Sequence, residues 1–356
     1  MKYVWLDCDP GHDDATAILL ALHAPGIKLL GVSTTHGNAG AINTKNNAAR
    51  CLHAFGAPED IKVYPGAPKP LIRPTRHDPE IHGSDGLGGV EGLPSISHPE
   101  VSARIQTQGV THAIHGLAQA IQEAWKDGEG RHVTVVATGP LTNIALFVSV
   151  YPELLSGIDE IVFMGGGVGK GNRSPAAEFN ILCDPEAAQI VLDVPVKKTM
   201  VPLNVTHTAI VTRANHYKLL SPSALLTDLS APLPTAVSPL RRMLSTLVSF
   251  FAESYKLIFG FTDGPPIHDA LTIAYVFDPT LFKSGRYRVD VERGGAYTTG
   301  ETVVDVLDYR KSDDTWGRDG KNCIVTESVD VDKFFEFFFD CVARCDTVSP
   351  LNNNPS

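Results

Sequence analysis

The chain opens on an apolar run, Tyr3-Val4-Trp5-Leu6. It ends in the acidic string Asp7-Cys8-Asp9-Pro10-Gly11-His12-Asp13-Asp14 and passes directly into Ala15 to Leu22, nearly all apolar helix formers. A short apolar run, a Pro-Gly turn and a helix start read as a buried strand delivering its carboxyl end to a helix N-terminus. The pattern recurs. Lys28 to Thr35 predicts a second strand, ending in His36-Gly37-Asn38. A helix follows from about Asn43 to Phe55, then a short third strand at Ile61 to Tyr64. This β-α-β-α-β opening predicts an α/β fold of a single domain: a doubly wound, Rossmann-like, mostly parallel sheet with helices on both faces.

Strands are predicted again at His132 to Thr138, Ile158 to Met164 and Lys198 to Leu203, the last ending at Asn204. Helices are predicted over 110–126, over 141–150, and from Asp184-Pro185-Glu186, where Asp caps and Pro fits the first helical position. Residues 66–98 are rich in Pro and Gly and predict a long loop, a kind that is usually functional or disordered. The C-terminal region reads as largely helical over 206–277, with breaks near 232–239 and at Gly264-Pro265-Pro266-Ile267-His268-Asp269. A few late strands follow at Tyr287 to Val291, Thr302 to Leu307 and Cys323 to Val329, then a Phe-rich helix from Val331 to Cys345. No repeat, heptad or dividing linker is visible. One domain over 1–347 is expected, with 348–356 a disordered tail.

Composition acts mainly by exclusion. The chain is 43% hydrophobic and 20% charged, enough for a sizeable core. Thirty basic against forty acidic residues give a net charge of −10, with no basic block. That argues against a nucleic-acid or membrane partner. No apolar run reaches the roughly 18 residues of a membrane span, and the N-terminus lacks the basic and apolar regions of a secretory signal. Six scattered cysteines without metal-site spacing read as reduced thiols, and a cytoplasmic protein is expected.

Four carboxylates within eight residues change the picture. One Asp at a helix start is ordinary capping. Several together repel, and burying them is unfavourable without a cation. Clustered oxygen ligands suit a hard ion, Ca2+ or Mg2+. The other strand ends also carry polar groups: Asn38, Thr138, the loop to Glu178 and Asn180, and Asn204. Singly each is explained by turn chemistry. Jointly they mark the place where open α/β sheets bind ligands. His82 alone would read as a surface histidine, whereas His268 beside Asp269 pairs a proton handler with a ligand. Without GxGxxG or GxxxxGK[ST], nucleotide phosphate binding is weakly supported.

The string Asp7-Cys8-Asp9-Pro10-Gly11-His12-Asp13-Asp14 resembles the N-terminal signature of the nucleoside hydrolases of the inosine-uridine preferring type. The resemblance continues through Gly37-Asn38, Ile81-His82-Gly83, Thr138-Gly139-Pro140-Leu141-Thr142-Asn143 and Met164-Gly165-Gly166-Gly167. It extends to Ala177-Glu178-Phe179-Asn180, Asp184-Pro185-Glu186-Ala187-Ala188 and His268-Asp269. The Gly264 to Asp269 segment is most similar to the fungal uridine nucleosidases, and 285–330 matches least. The resemblance implies a homodimeric or homotetrameric N-ribohydrolase with a bound Ca2+, acting on a small ribonucleoside. Carried over by position, Asp9, Asp14 and Asp269 offer carboxylates to the ion and Thr138 its carbonyl. Asp13, Asn38, Asn172, Glu178 and Asn180 hold the ribose hydroxyls, with Met164 lining that pocket. His82 and His268 face the base. Hydrolysis of a ribosyl C–N bond builds positive charge on the sugar, which a carboxylate-rich pocket stabilises. Asp9 would take the proton of the attacking water, and His268 would assist departure of the base. Uridine is expected first, with inosine and cytidine as further substrates. Two other readings compete. In a haloacid-dehalogenase-like Mg2+ phosphatase, Asp7 would be the nucleophile. The other is a catalytically silent nucleoside-binding protein.

Overall fold

A computed structural model describes residues 1–106, 112–223, 228 and 232–353. Ten strands are present among them: β1 Lys2–Cys8, β2 Ile27–Thr34, β3 Val63–Pro65, β4 Val133–Ala137, β5 Ile158–Met164, β6 Lys198–Val201, β7 Phe282–Tyr287, β8 Val289–Val291, β9 Thr302–Val304 and β10 Cys323–Val329. Eight form one sheet in the order β3-β2-β1-β4-β5-β6-β10-β7, and β8 pairs with β9 apart from it. All neighbours in the large sheet run parallel except β7 against β10.

The alternation of β1 explains the layering. Val4, Leu6 and Cys8 point into one core, Trp5 into the other, as a period of two requires. The first core is covered by helices His12–His23, Pro239–Phe259, Ala270–Phe277 and Val331–Val348, through residues such as Ile18, Leu247, Ala274 and Phe334. The second lies under Ala113–Trp125, Thr142–Val150 and Pro185–Asp193, through Leu117, Ile144 and Val191. The five Phe of the last helix at 334, 335, 337, 338 and 339 are all buried, as a helix packed on a sheet demands. Strand order reverses between β1 and β4, so their carboxyl ends open a crevice.

Several boundaries differ from expectation. The predicted strand at 287–291 is divided: β7 joins the large sheet and β8 the small one. Between them the buried Arg288 turns to Asp290 and to the carbonyl of Arg318. The strand expected over 302–307 stops at Val304. The last helix runs on to Val348, and residues 349–353 pack back onto the fold. Ser349 Oγ donates to the Ala54 carbonyl at 2.7 Å, and the Asn352 amide donates to the Asp346 carbonyl at 2.9 Å. Residues 354–356 lie outside the described residues, as do the expected helix start at 110 and residues 224–227 and 229–231 of the helical region.

Candidate active site

The crevice between β1 and β4 is floored by acids. Asp9, Asp13, Asp14 and Asp269 are all buried. Asp14 behaves partly as a cap: Oδ2 accepts from the Gly11 amide at 3.0 Å, and Oδ1 from the Asp9 amide at 3.2 Å. Thr138 Oγ1 donates to the same Oδ1 at 2.8 Å and Asn38 Nδ2 to Oδ2 at 3.0 Å. Capping does not account for the rest. Asp9 Oδ1 and Asp13 Oδ1 are buried without a hydrogen-bond partner. Burial pushes Asp13 up to about 8, and it raises Asp9 and Asp269 well above the carboxylate range, with neighbouring acids adding to the rise. Orphaned oxygens on mutually repelling buried acids fit a divalent cation in chemistry and placement.

Oxygens of Asp13, Asp14 and Asp269 lie within 4.8 Å of one another. This trio contains Asp13, expected on the ribose, where the resemblance placed Asp9. The Asp9 carboxylate is drawn aside by the Asn38 amide, which donates to its Oδ2 at 2.7 Å. Its surroundings admit nothing larger than glycine. A Cβ at Gly37, whose φ is +149°, would lie 2.0 Å from Asp9 Oδ2, and one at Gly139 would lie 2.5 Å from Oδ1. Asp7 faces away from the crevice: Ser33 Oγ and Asn143 Nδ2 donate to its Oδ1 at 2.5 and 2.7 Å, and burial pushes it up to about 7.

Above the acids lies a cavity that collects the remaining expected residues: Asn38, His82, Thr138, Met164, Asn172, Glu178, Asn180 and His268. Glu178 caps the short helix Phe179–Cys183, accepting from the amides of Asn180 at 2.8 Å, Ile181 at 3.1 Å and Gly166 at 2.9 Å, yet burial still pushes it up to about 7. Asn180 Nδ2 donates to the carbonyls of Thr138 at 2.8 Å and Met164 at 3.2 Å, tying the ends of β4 and β5. The Thr138 carbonyl thus has one lone pair left for another partner. Asn172 Oδ1 is buried and unpartnered, free to accept from a ligand hydroxyl. Asn204 instead holds the Val168 loop and lies outside this cavity.

The opposite wall is aromatic. His268 is buried, with Nε2 at 2.6 Å from Tyr255 Oη and Nδ1 at 2.7 Å from Thr206 Oγ1. Its desolvation depresses its basicity, and so does that of His82. Tyr255, Thr206 and the Arg173–Asp78 ion pair, which draws two loops together at the mouth, were not singled out from sequence. Phe251 and Tyr255, four apart on a helix, have the spacing of a core face. The proximity of Tyr255 to His268 required the fold.

The profile of the family described as "Inosine-uridine preferring nucleoside hydrolase" matches residues 4–336. A protein of Dictyostelium discoideum described as "Probable ribonucleoside hydrolase" is 36% identical over 345 residues, 96% of this chain and 94% of that one. The pyrimidine-specific ribonucleoside hydrolase RihA of Shewanella woodyi is 38% identical over 340 residues, covering 95% and 96%. Among solved structures, the purine-preferring ribonucleoside hydrolase from Gardnerella vaginalis superposes with a TM-score of 0.79 at 27% identity, over 98% of this chain and 99% of that one. The fold and site therefore define an N-ribohydrolase. The chain belongs to the inosine-uridine preferring nucleoside hydrolase family.

Proposed function

We propose that the protein hydrolyses the N-glycosidic bond of pyrimidine ribonucleosides, uridine first, with cytidine and inosine as further substrates, and that it uses Ca2+. The observation that carries this reading is the cluster of buried acids with orphaned oxygens beneath a cavity lined by hydroxyl-binding groups and two histidines. A pyrimidine-specific relative at 38% identity supports the substrate.

Asp9, Asp14 and Asp269, with the Thr138 carbonyl, would hold the ion, and Asp13 stands close enough to share it. When bound, Ca2+ supplies positive charge that lowers the pKa of water and orients it. Asp9 takes the water's proton at its unpartnered Oδ1. Asn38, Asn172, Glu178 and Asn180 engage ribose hydroxyls, and Met164 packs beneath the sugar. Buried carboxylates stabilise the positive charge that develops on the ribosyl carbon. His268 assists base departure through the Tyr255 hydroxyl, because both of its ring nitrogens are engaged by hydroxyls. His82 closes over the base from the Pro/Gly loop. The orientation of Asp7 away from the cavity speaks against the phosphatase alternative, and the full set of site carboxylates speaks against silent binding.

The working protein is expected to be a cytoplasmic homodimer or homotetramer, which light scattering on the native protein measures. The function is tested by reducing-sugar release from uridine, cytidine and inosine before and after chelation and Ca2+ return. Uridine cleavage that is lost on chelation and restored by Ca2+ is expected. Cleavage of inosine alone would overturn the uridine preference, and chelator-resistant turnover would overturn the ion.

A further inference from the structure

We propose that His12 is a positioning residue for His82, seating its Nδ1 so that Nε2 stays turned to the leaving base. This rests on the reading above, in which His82 faces the base. His12 lies in the acidic string but has no part in the ion or ribose sites. It is fully buried and stacks on Phe250 and Phe251, with ring centroids 5.0 and 5.5 Å away and interplanar angles of 5° and 4°. Its Nε2 is 2.9 Å from the Gly88 carbonyl. A carbonyl only accepts, so Nε2 carries the ring proton of neutral His12 and Nδ1 is a bare lone pair.

That lone pair points at His82. The two Nδ1 atoms are 3.3 Å apart, and the His12 backbone amide also lies 3.3 Å from His82 Nδ1. One residue thus presents both an acceptor and a donor to the same nitrogen. When His82 Nδ1 is bare, it accepts from the amide. When it bears a proton, it donates to His12 Nδ1. The ring keeps its orientation in either form, and Nε2 is left for the cavity that His82 lines.

The proton count closes without a further reactant. Burial opposes a second proton on His82, and the His12 acceptor at 3.3 Å offsets part of that cost in the doubly protonated form. That form gives the Nε2 proton to the departing base as the ribosyl C–N electron pair moves onto that base. His82 is left neutral, with its Nδ1 proton still donated to His12. Without the His12 ring, Nδ1–H has no acceptor there, and only the bare form is partnered.

The test uses His12→Phe, which keeps the stacked ring and removes both nitrogens, and His12→Gln, whose Oε1 accepts and whose Nε2 donates. Loss of the second partner of a metal-ligating histidine costs roughly 10–100-fold, and the same scale is taken for His82. His12→Phe is therefore expected to lower kcat on uridine by about that factor, with a much smaller change on p-nitrophenyl riboside, whose leaving group needs no proton. His12→Gln should recover much of the loss, and adding His82→Ala to His12→Phe should cost little more. Equal losses on both substrates, or a Gln variant no better than Phe, would show a packing role and overturn the proposal. Ring 15N spectra of His82 give a readout independent of turnover. The Nδ1 shift should move toward that of free imidazole in His12→Phe, and an unmoved shift would overturn the proposal even if uridine proves not to be the substrate.

Discussion

The acid floor and the aromatic wall of the cavity are built on different principles. The floor is set by backbone: Asp9 and Asp14 lie five residues apart at one strand end, and amides of Asp9, Gly11 and Asn38 hold their oxygens. The wall is set by side chains from distant segments, with Tyr255, His268 and Thr206 linked hydroxyl to ring nitrogen. A backbone-defined site is rigid and fixes what every substrate shares, here the ribosyl carbon. A side-chain wall can be exchanged piece by piece and suits the part of the substrate that varies. The difference between pyrimidine-specific and purine-preferring relatives is a difference in that part.

Breaking the floor has the largest expected effect. Asp9→Asn keeps the shape and removes the proton acceptor proposed above, and general-base loss typically costs ~10²–10⁴-fold. The variant should fold, with uridine and p-nitrophenyl riboside turnover falling together. Near wild-type rates, with identity confirmed by mass, would move the base elsewhere. Breaking the wall should instead separate substrates. His268→Ala is expected to slow uridine by about 10²-fold, the lower end for a proton-transfer partner, and p-nitrophenyl riboside far less. Equal factors would place His268 on the floor's side of the comparison.

The smallest effect is on stability. Folding raises Asp7 to about 7, Asp13 to about 8 and Glu178 to about 7, each mainly by burial, from ordinary values of 3.8, 3.8 and 4.5. Through these groups the folded state binds more protons than the unfolded chain up to about pH 8, whereas burial holds His12, His36, His207 and His216 at about 4, below their ordinary 6.5, and opposes this in more acidic solution. Stability therefore falls as pH rises from about 6.5 to 8, where the histidines are neutral in both states. Melting temperatures of chelated protein should decline from about pH 6.5 to 8. Added Ca2+ should flatten the decline, because a cation favours the charged carboxylates. An upward slope in the chelated protein would contradict the burial account.

The N-terminal part of the floor, Asp9 to Asp14, was legible in the sequence because its residues are contiguous and sit where a strand meets a helix, a junction whose geometry follows from pattern alone; Asp269 was placed by resemblance. Asp13 taking the place of Asp9 beside Asp14 and Asp269 was not, since where the Asp9 carboxylate turns depends on Gly37 and Asn38, which follow another strand. The parallel order through β6 followed from alternating strands and helices. The place of β7 did not, because a period of two does not encode strand direction. Tyr255 was hidden by ambiguity: its helical spacing with Phe251 serves a core equally well. The docked end was missed because Ser349 finds its acceptor at Ala54, 295 residues earlier, a contact no local pattern carries.

Gly37 and Gly139 carry a consequence for how such a site changes over generations. Neither has a side chain to contribute, yet each leaves only enough room for the Asp9 carboxylate. A larger residue at either position displaces Asp9, and a smaller residue at 9 relieves the closest of the contacts that hold these positions to glycine. With the role proposed for Asp9, the three positions form an evolutionary ratchet: once assembled, none drifts alone without passing through a disabled enzyme, while the residues around the base remain open to selection.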